Sequence, residues 1–455
     1  MFRPLFATHN RAAEITYRYL NGYTYQIAII TYTKLCQVCP DRDYLDSVHY
    51  GDDFTGMFSR TSFFNMGDSV RINKYVSNHT YPGPGTYRIF FSDPNRNEDI
   101  MNIPNSVNVP MCVEAYLTVL DPEIYCVNNS AVFDTIPFFY AQIGKAFNYN
   151  LTVTDPDHDS LSYQLIVPLV SAGVPVTGYT LPMSIDNFWL SSATGQLTWD
   201  APVAAGEYNL AVKVSEWRNN TIIGYVMRDF QVIVNEDTIT PATLNAFYSL
   251  ALPIDTSGNY VVSVNPGDTV NAQAVYHQSA AYNPPVTTYG EAFQMTSPPT
   301  VQYSAGPGTA IADLTWIPDS SKMRLHPYVF VFSGMSTLSQ QDDISFMVYV
   351  NGPRADTCPD FTVPPAWTPL PFQTYDMTLF PNPANETLHI IFNRSFAGEN
   401  NKIKMFDALG RIVKIIDVDA AIININTSTL RNGVYVITLM NPSGDILIYK
   451  KIIIY

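Results

Sequence analysis

The densest run of chemistry-bearing side chains in this chain is Asp155-Pro156-Asp157-His158-Asp159-Ser160-Leu161-Ser162-Tyr163. Three carboxylates at alternate positions can converge on one cation, and calcium takes six to eight oxygen ligands. The run is not an EF-hand loop. Ser160 stands where that loop needs its turn glycine, and Ile166 where it needs its bidentate glutamate. Asp186 and Asp200 are candidate partners from the same stretch, and an acidic surface turn built on Asp-Pro is the alternative reading.

Other reactive residues form no comparable constellation. Cys36-x-x-Cys39 fits a redox pair or half a zinc site. No second CxxC completes a zinc site, and a redox motif needs a strand-to-helix junction that this hairpin region lacks. A local disulfide is the favoured reading. Cys112 and Cys126 form a candidate second bridge, with Cys358 left over. The seven histidines include no HExxH, and no G-x-S-x-G elbow is present. Two carboxylates suffice for a glycosidase, so Glu14, Glu207 and Glu216 are worth following, although strand-end acids are the plainer reading. Of the tryptophans, Trp199 and Trp316 occupy equivalent repeat positions and are expected in cores. Trp217, just before the Asn219-Asn220 turn, is the candidate ligand contact. The chain is expected not to be an enzyme.

These residues must be carried by a largely β scaffold. The 455 residues suffice for about three domains. Only 14% are charged and 46% are hydrophobic, with 30 Tyr, 25 Phe and 33 Pro, a mixture of aromatic strands and rigid turns. Net charge is −15, and residues 121–240 alone carry −9, which disfavours nucleic acid and anionic membranes. No apolar run reaches the length of a membrane helix. Met1–Phe6 contains no signal-peptide core, so either the chain is cytosolic or the given start lies downstream of the real one.

Alternation marks the strands. Ala13, Ile15, Tyr17 and Tyr19 alternate up to Asn21-Gly22, and Tyr23, Tyr25, Ile27 and Ile29 alternate after it, a hairpin signature. Leu197-Thr198-Trp199 recurs as Leu314-Thr315-Trp316, each followed by an aromatic strand and then an alternating one, as in two copies of one sandwich. The expected division is 1–120, 121–236, 237–351, a proline-rich linker 352–375, and a small sandwich 376–455 with strands near 387–392, 402–407, 411–416, 434–439 and 446–454.

The tail also carries a resemblance. Leu379-Phe380-Pro381-Asn382-Pro383-Ala384, then Met405–Arg411 ending in Gly410-Arg411, then Leu430-Arg431-Asn432-Gly433-Val434-Tyr435, then Lys450-Lys451 before the terminal Ile-Ile-Ile-Tyr, resemble the type A C-terminal sorting domain of the type IX secretion system of Bacteroidota. The resemblance implies the secretion machinery as partner, export to the cell surface or medium, and removal of the tail. Pro381, Asn382, Pro383, Ala384, Gly410, Gly433, Lys450 and Lys451 would be its sorting motif. His9–Tyr17 is similar to an opening found on large surface proteins of that phylum, some linked to gliding motility. His49-Tyr50-Gly51-Asp52-Asp53 and His79–Tyr87 resemble the two signature segments of PKD-type domains, with Asp53 where Gly is commoner. The Asp155–Tyr163 string resembles the D-x-D-x-D-x-L-x-Y turn of cadherin-like domains, which implies calcium at Asp155, Asp157 and Asp159.

The reading is therefore an all-β chain of tandem immunoglobulin-like sandwiches, PKD-like then cadherin-like then immunoglobulin-like, with a small sorting sandwich. An adhesive or structural surface protein is expected, stiffened by calcium and meeting a surface glycan or protein ligand. A secreted carbohydrate-binding or carbohydrate-processing protein is the second reading.

Overall fold

The computed structural model describes residues 10–35, 42–66, 70–137, 139–236, 245–248, 253–255, 258–277, 285–335, 341–352, 377–380, 384–392, 401–407, 411–418, 422–440 and 446–454. Among them regular structure is strand, apart from three 3-10 turns. The chain divides into two compact units near residue 362.

Strands Asn10–Asn21 and Thr24–Lys34 form the expected hairpin, with Gly22 at φ +50. From there a circuit of hydrogen-bonded neighbours runs through Val70–Thr80, Thr55–Met66, Tyr44–His49, Gly85–Asp93 and Met111–Val119. The circuit is closed by a strand from far along the chain, Thr221–Asn235. Val226 faces Ala115 on one neighbour, and Arg228 faces Glu14 on the other.

The expected division at 120/121 thus falls inside one core. Buried residues from Ala12 to Val234 form a single apolar cluster. Two buried charges explain why a strand of the second segment completes the first. Arg228, 0% exposed, pairs with Glu14, and its guanidinium lies over the Phe133 ring at 3.8 Å. Asp229, also 0% exposed, pairs with Arg96. A buried charge without its partner is strongly destabilising, so these pairs fix the register in which the segments meet.

The two segments resembling PKD signatures come together. His79 Nε2 lies 2.7 Å from Asp52 Oδ2, its ring stacks on Tyr50 at 3.9 Å, and Tyr81 Oη donates to the Tyr50 carbonyl at 3.2 Å. Asp53 adopts φ +68, a left-handed conformation that explains why glycine suits the position. Gly51 at φ +95 leaves no room for a Cβ, which would sit 2.4 Å from the Arg88 amide nitrogen.

The repeat is visible in three dimensions. Trp199 and Trp316, 0% and 1% exposed, each direct the indole N–H to a backbone carbonyl, Met183 at 3.0 Å and Ser297 at 3.3 Å. Each meets a tyrosine edge-on, Tyr208 at 5.1 Å and Tyr328 at 5.0 Å. Trp316 belongs to a separate core drawn from both sheets of the third module, including Ala274, Tyr276, Phe330, Phe346 and Val348. Its strand Gln341–Val350 also bridges Phe147–Asn150 of the preceding module, where the Asn150 amide donates to Asp343 Oδ2 at 2.8 Å.

Among the described residues of the second unit, seven strands form a three-stranded and a four-stranded sheet. Those at Thr387–Phe392, Lys402–Asp407, Ile412–Asp417, Gly433–Met440 and Ile446–Ile454 match the alternation, and Met377–Phe380 and Ile422–Asn426 complete the set. Leu388, Ile390, Ile403, Met405, Ile437 and Ile452 fill the space between them.

Candidate metal centre

The acidic turn joins strand Val153–Thr154 to strand Ser160–Ile166. Asp155 folds it: Oδ1 accepts from the amides of Asp157 at 2.9 Å and Asp159 at 3.0 Å, an Asx-type closure. The main chain is left-handed at His158, φ +62, and this turns the three aspartates together, with ligand oxygens within 4.8 Å of one another. Asp155 is 3% exposed, and its Oδ2 has no hydrogen-bond partner.

Two further segments close around the turn. The connection from the first strands brings Asn128 and Asn129. Asn129 donates its amide and Nδ2 to Asp157 at 2.5 and 2.7 Å. Strand Gly206–Arg218 brings Glu216 and Arg218, with a bulge after Glu216. Glu216 is fully buried and accepts from Tyr17 Oη, Asn128 Nδ2 and the Ala131 amide at 3.0, 2.9 and 2.7 Å. Arg218 grips Asp159 with both arms, Nε to Oδ1 at 2.8 Å and Nη2 to Oδ2 at 2.7 Å.

Burial sets the electrostatics. Loss of water pushes Glu216 up to about 8, against the hydrogen bonds it accepts. Asp155 is raised well above the usual carboxylate range, first by burial and then by Glu216 and Asp159. Three aspartates thus face the Arg218 guanidinium and Glu216 adjoins Asp155 and Asp159, an excess of negative charge that a divalent cation or bound protons must offset. Oxygen-only donors, three aspartates and one orphaned buried carboxylate oxygen fit calcium. Asp155, Asp157 and Asp159 would hold it.

The turn also touches the third module. His158 Nδ1 lies 2.6 Å from Glu291 Oε1, and Arg324 holds the same carboxylate by two bonds of 2.7 Å. Burial raises Glu291, but Arg324 and His158 outweigh it and bring the group down to about 2. A cleft lined by Asp155, Asp159, Tyr163, Glu291, Arg324 and His326 lies at this seam.

Cys112 is buried and free while Cys126 is disulfide-bonded, so the expected Cys112–Cys126 bridge does not form; the Cys126 partner lies outside the described residues. Cys36, Cys39 and Cys358 also lie outside them. Cys112 sits on a wholly buried strand paired with Ser92 and Leu169, where its packing is that of a small apolar residue. Trp217 is half-buried, and its indole N–H donates to Ser162 Oγ at 2.7 Å. Glu14 and Glu207 serve as partners of Arg228 and Arg11. Asp186 and Asp200 stand apart from the aspartate group, bonded to each other through the main chain. In the tail, Ala384 is buried and bridges Ile454, Gly433 opens a strand, and Lys450 and Lys451 lie on the last strand opposite Ile437 and Val436. Pro381, Asn382, Pro383 and Gly410 lie outside the described residues, as does the expected linker beyond Gly352.

Residues 378–455 match the family described as secretion system C-terminal sorting domain. The tail is a type IX sorting domain. Such a domain marks the chain for the type IX machinery and a destination at the cell surface or beyond. No helix among the described residues is long and apolar enough to cross a membrane. No curated protein matches the chain. Similar solved structures include titin domains z1z2 in complex with telethonin, at 12% identity, 50% of this chain, 100% of that one and TM-score 0.18. The N-terminal eight Ig domains of Down Syndrome Cell Adhesion Molecule give 9%, 97%, 49% and 0.18. Latent PorU from Porphyromonas gingivalis gives 13%, 89%, 43% and 0.17.

Sequence reasoning found the three aspartates but not Asn128, Asn129 or Arg218, and noted Glu216 only as a carboxylate. The available signal was Glu216-x-Arg218 at strand spacing beside an Asn-Asn pair.

Proposed function

We propose that this sorting-domain cargo is a non-enzymatic adhesive or structural protein of the cell surface, and that calcium at Asp155, Asp157 and Asp159 stiffens its body. The observation that carries the reading is the position of the acidic turn. It holds Asn129 of the preceding connection through Asp157 and Glu291 of the following module through His158. A cation bound there ties three segments that otherwise meet mainly through side chains. Asp159 is paired with Arg218, and Glu291 with Arg324 and His158, which suits a structural joint better than a catalytic cleft.

Two measurements test this. Calcium is expected to give a calorimetric binding heat and to raise the melting temperature of the full chain; neither effect would remove the stiffener. Cells carrying the chain are expected to attach to surfaces or to one another more than deletion cells do, and to lose that difference in chelator. Equal attachment would remove the adhesive role.

A further inference from the structure

We propose that Arg218 is a tethered cation lodged in the metal centre, and that a divalent cation enters by displacing its guanidinium. This rests on the calcium reading above and concerns how the same site is controlled.

The surroundings of Arg218 carry the inference. Besides the two Asp159 oxygens, its nitrogens face the carbonyls of Cys126 at 2.9 Å and Val127 at 3.3 Å, Asn128 Oδ1 at 3.4 Å and Asp157 Oδ2 at 3.7 Å. Six oxygens from two segments, residues 126–128 and the turn 157–159, form an all-oxygen cage. A guanidinium needs such a ring because it has only donors, and calcium needs one because it is a hard cation. The one orphaned carboxylate oxygen of the group, Asp155 Oδ2, belongs to a residue 3% exposed.

Both cations cannot use Asp157 and Asp159 fully at once. The ligand oxygens lie within 4.8 Å of one another, so a divalent ion among them would stand close to the guanidinium and repel it. Arg218 ends its strand beside the Asn219-Asn220 turn, where Asn220 is exposed, and displacement requires its buried side chain to swing out past that turn. Affinity for the metal is then the intrinsic affinity of the oxygens divided by the hold of Arg218. The centre would fill only where calcium is abundant, as it is outside a cell.

The test is calcium titration by calorimetry on the full chain, with thermal melts in chelator and in calcium. Arg218→Gln is expected to bind calcium about tenfold or more tightly than the parent, since displacement no longer costs a charge-assisted bidentate pair. Arg218→Lys, which keeps the charge but loses the fork, is expected between the two and carries the test should the glutamine variant not fold. Arg218→Gln should melt lower than the parent in chelator and recover in calcium. Affinity equal to or weaker than the parent in both variants overturns the proposal while leaving the calcium site standing. Asp155→Asn separates the other failure: if it keeps the parent's calcium heat, or if no protein shows one, the calcium reading itself falls.

Discussion

Arg96 meets Asp229, 133 positions further along the chain, through two parallel hydrogen bonds of 3.0 and 2.7 Å, with both side chains 1% exposed. The same guanidinium bonds Asn209 Oδ1 and the carbonyls of Leu169 and Pro110, so one side chain fastens the loop after Asp93 to the long hairpin 206–235. The arrangement satisfies a charge that would otherwise be too costly to bury.

Removing one member of this pair should therefore be far worse than removing both. Arg96→Met is expected to cost about 3–5 kcal/mol, because Asp229 is left buried and unpaired. Arg96→Met with Asp229→Leu should recover much of that loss. Denaturant unfolding of the three proteins checks it, and equal losses in single and double variants would contradict it.

The seam at Asp343 should respond to pH. Burial raises this carboxyl to about 7, although Ser333, the Asn150 amide and Gln341 pull the other way. Because the folded value lies above the unfolded one, the folded chain binds more protons between about pH 4 and 7. Stability of the transition that includes the third module should fall as pH rises through that window, by at most roughly 1.4 kcal/mol per pH unit. Asp343→Asn should flatten the slope when melts are compared from pH 4 to 8. An unchanged slope would assign the dependence elsewhere.

The two tryptophans should report separate cores. Trp199→Ala and Trp316→Ala are each expected to cost about 3–5 kcal/mol. Trp199 lies in the cluster that spans Ala12 to Val234, and Trp316 in that of the third module. Calorimetry should show a different transition shifted in each variant, and one common shift would mean that the cores unfold together.

Deletion of residues 378–455 should abolish appearance of the chain at the surface and in the medium without unfolding the first unit. Fractionation with terminal mapping by mass spectrometry checks this. A surface-exposed deletion protein would contradict the role of the tail.

What could be read in the sequence was what is local. Asn21-Gly22 announces its own turn, Leu-Thr-Trp repeats within short strands, and the tail motifs lie within 80 residues. Asp155, Asp157 and Asp159 are close in space because they are close in the chain. The partners that finish the site, Asn129 and Arg218, arrive from other segments, and nothing in their local pattern fixes which carboxylate each meets. The same limit produced the 120/121 boundary. Arg228 and Asp229 interrupt an otherwise apolar strand, and their meaning emerges only beside Glu14 and Arg96. Cys112 shows the converse: its spacing from Cys126 suggested a bridge, but burial leaves it a free thiol pushed up to about 12.

Strand Thr221–Asn235 has a consequence for the order of events in time. The first strand pairs with it at Ala12–Phe230, so the opening of the chain cannot finish folding until more than two hundred later residues have emerged. Contacts so distant are slow to form. A chain that emerges from its N-terminus would thus carry an incomplete front end for most of its passage, and closing that ring would be a late act, performed where the whole first unit is free.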